Sequence, residues 1–178
     1  MRHIISMLLH NEAGALARVA GMFSARGYNI DSLTVAATHD PEVSRLSLVT
    51  FGDDAVIAQI IKQSRKSIDV IEIVDLTSSD HVECELLVVK VAARPDNATA
   101  IARFTELSFG IILDETENVR VLQFTGRGAH ISAVLAELTG ITTILELARS
   151  GTAAIERGSN VLGLAEPALA VQGGLTTT

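Results

Sequence analysis

The chain opens on a short apolar run, Ile4-Ile5-Ser6-Met7-Leu8-Leu9, closed by the polar turn His10-Asn11-Glu12-Ala13-Gly14. A run of that length bounded by turn residues predicts a buried strand, here over about 2–9. Leu16, Val19, Ala20 and Phe23 then recur at i, i+3, i+4, i+7, which predicts a helix over about 13–26 with one face in the core. Gly27 supplies its stop. Leu33, Val35 and Ala37 share a face at period 2, predicting a strand over about 30–38. His39-Asp40-Pro41-Glu42 is a turn, and a third strand is expected over about 43–51. Gly52-Asp53-Asp54 caps a helix over about 54–64, with Val56, Ile57, Ile60 and Ile61 inward. In the strand expected over about 67–76 the alternation slips, with Ile68 and Val70 on one face and Ile71 and Ile73 on the other. A bulge, or cover on both faces, accounts for such a slip.

The order βαββαβ is the ferredoxin-like plan, an antiparallel sheet with two helices on one face. Its other face needs cover, by a second subunit or domain. The polar stretch Thr77-Ser78-Ser79-Asp80-His81 is the expected linker, after which the pattern begins again. Strands are expected over about 84–92, 110–115, 119–125 and 141–148, and helices over about 95–107 and 129–138. Ile101, Phe104 and Leu107 should share the core face of the first of these helices. Leu16-Ala17-Arg18-Val19 is echoed by Ile101-Ala102-Arg103-Phe104, each leading to a glycine and an apolar strand. The fold class is therefore α+β, with two tandem ferredoxin-like domains at 1–77 and 78–160. Residues 161–178 lack periodicity, carry one charged side chain, Glu166, and are expected to be a flexible tail.

Composition narrows the function. Of 178 residues, 48% are hydrophobic, enough for a core built from Val, Ile, Leu and Ala. A net charge of −7 argues against a nucleic-acid binder, which works by neutralising phosphates. Cys84 is the single cysteine, so no intrachain disulfide forms; it reads as a small strand residue of a chain in a reducing cytoplasm. No signal peptide is evident, and no run approaches the roughly 20 apolar residues of a membrane span. His3, His10, His39, His81 and His130 include no pair at metal-ligand spacing. There is no nucleophile elbow, phosphate loop or dinucleotide fingerprint, and Gly126-Arg127-Gly128-Ala129 reads as a turn into a helix, with an anion site as the alternative. The chain is expected to carry no catalytic centre.

Binding is the better prospect. A helix N-terminus offers free N–H groups and partial positive charge to a carboxylate. Asn11 suits either a helix cap or a ligand contact. Gly14, costing about 0.5–1 kcal/mol against alanine in a helix, asks for a reason such as close backbone approach. Asn29 is a turn residue or a partner for a polar ligand, and Ile30 belongs to the core or floors an apolar pocket.

Asn11-Glu12-Ala13-Gly14-Ala15-Leu16-Ala17-Arg18-Val19, with Phe23-Ser24, Arg26-Gly27-Tyr28-Asn29-Ile30 and Ser32-Leu33, resembles an ACT domain, a small amino-acid-sensing module. The likeness extends through Ser44-Arg45-Leu46, Lys62-Gln63, Asp75-Leu76-Thr77, Val82-Glu83, Val89-Lys90-Val91 and Ala148-Arg149-Ser150-Gly151 to Arg157-Gly158. Over roughly 1–158 the chain is similar to the regulatory (small) subunits of acetolactate synthase. The resemblance implies a homodimer that binds and activates a catalytic subunit and makes it inhibitable by L-valine, in branched-chain amino-acid biosynthesis. Thiamine diphosphate, magnesium and FAD would belong to that partner. It further implies an effector site at an interface between two ACT domains, with Asn11, Gly14 and Ala15 from one chain facing Asn29 and Ile30 from the other. Ser64 and Ser67 depart from the family pattern, where apolar residues are usual, and Cys84 replaces an arginine. A stand-alone amino-acid-responsive regulator of another target is the alternative. A small enzyme on the same scaffold is disfavoured by the missing acid–base or metal set.

Overall fold

The computed structural model describes residues 1–163, so the expected tail lies, from residue 164 on, outside the described residues. The N-terminal half comprises β1 (Arg2–His10), α1 (Ala15–Ser24), β2 (Ile30–Ala37), β3 (Val43–Phe51), α2 (Asp54–Ser64) and β4 (Val70–Asp75). The strands form an antiparallel sheet in the order β2-β3-β1-β4. Pairing Ile5 with Leu48 and Met7 with Leu46 puts these four on one face, where they meet Val19 and Phe23 of α1 and Ile57 and Ile60 of α2. Burying each such side chain contributes about 1.5–3 kcal/mol. The slipped alternation near Ile71 is a bulge: Leu8 pairs with Glu72 but Leu9 with Val70, leaving Ile71 as the extra residue.

The second half repeats the plan with β5 (His81–Ala92), α3 (Ala98–Leu107), β6 (Ile111–Glu115), β7 (Val119–Gly126), α4 (Gly128–Ile141) and β8 (Ile144–Arg149). Its sheet runs β6-β7-β5-β8. Leu87, Val89, Val91, Leu122 and Phe124 are buried with Ile101, Ile131, Val134 and Leu138, and the Phe104 and Phe124 rings meet at 6.1 Å, tilted. The two-fold βαββαβ plan is thus the observed fold.

Several elements differ from expectation. Helix α3 starts at Ala98 rather than 95, because Asn97 Oδ1 accepts the Arg94 N–H at 2.8 Å and closes a turn ahead of it. Leu107, expected inward, ends that helix largely exposed, while Thr105 is buried with its hydroxyl on the Ile101 carbonyl. Helix α4 runs through Gly140 to Ile141. Strand β5 begins at His81, inside the expected linker. Ser64, buried among apolar side chains, donates to the Ile60 carbonyl at 2.9 Å, so the departure leaves no orphan hydroxyl.

An unforeseen strand, β9 (Ala153–Glu156), pairs with the first four residues of β5. It lies against the helix-free face of the first sheet, where Ala154 is buried with Ile4, Val49 and Leu76. Arg45 donates to the Ala154 carbonyl at 3.1 Å, and Arg2 pairs with Glu83 at 2.7 Å. Cover for that face therefore comes in part from the chain's own second half.

Candidate functional site

The first turn of α1 is built by Gly14, which holds the N-cap position at φ 89°, in the left-handed region. No side chain caps this helix. Of its first-turn N–H groups, that of Ala15 is taken by the Glu12 carbonyl at 3.3 Å; those of Leu16 and Ala17, which have no partners within a helix, stand at the positive end of the helix dipole. Asn11 is not the cap. Its Nδ2 donates to the Pro41 carbonyl at 2.8 Å and its Oδ1 accepts Ser44 Oγ at 2.9 Å. It ties the β1–α1 turn to the start of β3, because Gly14, three residues later, has already taken the helix start.

Beneath the turn, Arg18 grips Asp69 through Nε at 2.6 Å and Nη2 at 2.5 Å. Ser67 adds a bond to Asp69 at 3.1 Å, which explains a hydroxyl where an apolar residue was expected. These bonds, Arg18's first, outweigh desolvation and hold the Asp69 carboxyl below the usual carboxylate range; the same pairing raises Arg18. A depressed aspartate contributes stability that is present above its unfolded value, about 3.9, and is lost as pH falls through its folded value. Asp69→Asn is therefore expected to lower the urea midpoint at pH 7, and the gap from wild type should close as pH falls below the ordinary aspartate range. Urea unfolding across pH 2–7 checks this, and a gap that stays constant contradicts it.

A concavity of about 320 Å³ opens beside the turn, lined among others by Leu9, Asn11, Ala15, Leu16, Val35 and Ser44. Leu16, expected in the core, is 37% exposed, and Val35 is 41% exposed. Val35, from the edge strand β2, and Leu16, from the first turn of α1, together line the concavity with apolar surface. The periodicity that assigned Leu16 to the core could not reveal this, because the first turn of α1 overhangs the sheet edge.

Among the expected site residues, Asn11, Gly14 and Ala15 are together at this end. Asn29 and Ile30 are not with them. They stand at the start of β2, whereas the concavity meets its end at Ala36 and Ala37. Seven residue steps of about 3.3 Å put the two ends roughly 23 Å apart. The Asn29 side chain is exposed, its carbonyl accepts Thr50 Oγ1 at 2.7 Å, and Ile30 packs against the edge of the first core.

Elsewhere, Gly126-Arg127-Gly128 is a turn into α4, and the nearby carboxylate is the chain's own Glu85, 3.4 Å from where a Cβ on Gly128 would stand. Glu85 is buried and pairs with Arg149. Among the described residues, no three His, Cys, Asp or Glu side chains gather into a metal set, and no helix is long and apolar enough to cross a membrane.

The small-subunit-like ACT domain model of acetohydroxyacid synthase matches residues 5–72, and the model for the small subunit of acetolactate synthase matches residues 84–158. The chain is 43% identical to the acetolactate synthase isozyme 3 small subunit of Escherichia coli K12 and 44% identical to that of Salmonella typhimurium LT2. Each match covers 91% of this chain and 99% of the relative. The crystal structure of the acetolactate synthase small subunit from Thermotoga maritima superposes with a TM-score of 0.81 at 32% identity, covering 90% of this chain and 99% of that one.

Proposed function

The chain belongs to the acetolactate synthase small-subunit family, and from that membership we propose that it is a homodimeric regulatory subunit which activates the catalytic subunit and makes it sensitive to L-valine. The reading divides the chain into an ACT domain at 1–77 and a C-terminal ferredoxin-like domain at 78–160. The observation that carries it is the uncapped α1 N-terminus behind a left-handed Gly14, open beside a small apolar concavity. Backbone N–H groups there suit the effector's carboxylate. Leu16 and Val35 suit an isopropyl group, and 320 Å³ is at the low end of the ligand-pocket range, about 300–1,000 Å³.

The roughly 23 Å between the two groups of site residues has a simple resolution. Antiparallel pairing of two β2 edges places the start of one strand beside the end of the other. Asn29 and Ile30 of one copy then complete the concavity at Asn11, Gly14 and Ala15 of its mate, giving two equivalent sites per isologous dimer. In this reading thiamine diphosphate, magnesium and FAD belong to the catalytic partner, and the complex works in the cytoplasm. Valine acts by favouring a less activating state of the complex.

Adding the chain to acetolactate synthase catalytic subunit is expected to raise acetolactate formation, and L-valine to reverse that gain. An unchanged rate contradicts the reading. Asn29→Ala removes a hydrogen bond to a charged group, about 1.5–3 kcal/mol, and is expected to weaken valine binding by roughly 10–150-fold without dissociating the dimer. Calorimetry beside sedimentation checks both, and unchanged affinity removes Asn29 from the site.

A further inference from the structure

The segment Ser150–Thr152 joins β8 to β9 and passes directly under β2. Its bonds fall into two sets. Toward the second half, Ser150 holds both main-chain groups of Leu86: its N–H donates to the Leu86 carbonyl at 2.9 Å, and its Oγ accepts the Leu86 N–H at 3.0 Å. Arg149 beside it grips buried Glu85. Toward the first half, the Ser150 carbonyl accepts Thr34 Oγ1 at 2.7 Å, and Thr152 N–H donates to Ser32 Oγ at 3.1 Å. Gly151 makes this crossing possible. It sits at φ 77°, and a Cβ there would lie 2.9 Å from Thr34 Oγ1 and 3.1 Å from Ser32 Oγ.

Ser150 is thus bonded to β5 of one sheet and β2 of the other. Strand β2 is an edge strand whose register against β3 slips between Ile30 and Ser32. Within one chain it is held by one neighbour in its sheet and by this strap, and it carries Asn29 and Ile30 at its start.

We propose that the Arg149–Thr152 strap couples the effector site to the C-terminal half, transmitting the state of β2 to β5 through Ser150. The proposal rests on the valine-responsive reading above. Coupling requires an element that both ends bias, and the Thr34 and Ser32 hydroxyls are where β2 meets that element. Neither hydroxyl belongs to the proposed effector contacts. Removing them should leave binding in place and cut its consequence.

The test uses the full chain reconstituted with the catalytic subunit, as wild type, Ser32→Ala/Thr34→Val and the conservative Thr34→Ser. In the double variant, valine binding by calorimetry should stay within about twofold of wild type, and activation without valine should persist. At saturating valine the double variant should keep most of its uninhibited activity, because the site fills as before while the coupling that turns occupancy into inhibition is lost. Thr34→Ser, which keeps the donor, should behave as wild type. If the double variant binds valine and is inhibited as wild type is, the coupling proposal is overturned and the regulatory reading stands. If it loses binding in parallel with inhibition, the hydroxyls act on the site itself, and the proposal is again overturned. A wild type that neither binds valine nor responds to it removes the reading and the proposal together.

Discussion

Gly14→Asp is expected to abolish the valine response while leaving the chain folded. Gly14 sits at φ 89°, where an L side chain costs of order 1–3 kcal/mol, although aspartate is among the residues that tolerate the region best. A Cβ there meets Arg18 Nη1 at 2.7 Å, the movable end of a long side chain, so the clamp on Asp69 yields without a change in the backbone. The new carboxylate then occupies the uncapped helix N-terminus and repels the effector's own. The expected loss of affinity exceeds about 100-fold, equivalent to roughly 2.7 kcal/mol. Gly14→Asn separates strain from charge, because it imposes the same backbone cost without the anion. It should retain measurably more affinity than Gly14→Asp by calorimetry, and equal losses would place the effect in the backbone alone.

Leu76→Ala is expected to be the most destabilising of the substitutions considered, by about 2–5 kcal/mol. Leu76 is fully buried in a cluster to which both halves contribute, with Ile4 and Val49 from the first sheet and Ala154 from β9. A cavity there weakens the docking of the two halves as well as the packing around β4. The variant should therefore unfold at lower denaturant and become susceptible to proteolysis near residues 150–158 before global unfolding. Leu107→Ala, at a side chain 68% exposed, is the control and should lie within about 0.5 kcal/mol of wild type. Equal stability of the two variants would contradict the role given to the seam.

What periodicity could reveal here was local. The strand at Ile4–Leu9, the helix face at Val19 and Phe23, the slipped alternation near Ile71 and the repeated βαββαβ order all follow from spacing within a dozen residues, whereas only the pairing of β1 with β4 shows that the slip is a bulge. Strand β9 does not. Ala153-Ala154-Ile155-Glu156 is only four residues long, and its one buried side chain, Ala154, packs on Ile4 and Val49 from the far end of the chain. The Arg18–Asp69 clamp spans 51 residues, and nothing at either position alone points to the other. Ser67 looked like a defect because its partner, two residues on, was hidden until the turn before β4 was seen. The candidate site divides in the same way. Gly14's cost in a helix marked it from sequence, and its backbone angle supplies the reason. The apolar wall of Leu16 and Val35 was hidden because an edge strand reads as a core strand until its missing neighbour is seen.

Subunit complementation tests the central proposal most directly, since it asks whether two chains share each site. Gly14→Asp chains and Asn29→Ala chains are each expected to bind valine poorly. In a mixed dimer, the unaltered Gly14 of one chain faces the unaltered Asn29 of the other, restoring one site of the two. Random mixing makes half the dimers mixed, so the refolded mixture should recover about one quarter of the wild-type sites by calorimetry. Recovery at that level is the predicted result. A mixture that binds no better than its parents, with mixed dimers present by mass spectrometry, would contradict a site shared across β2.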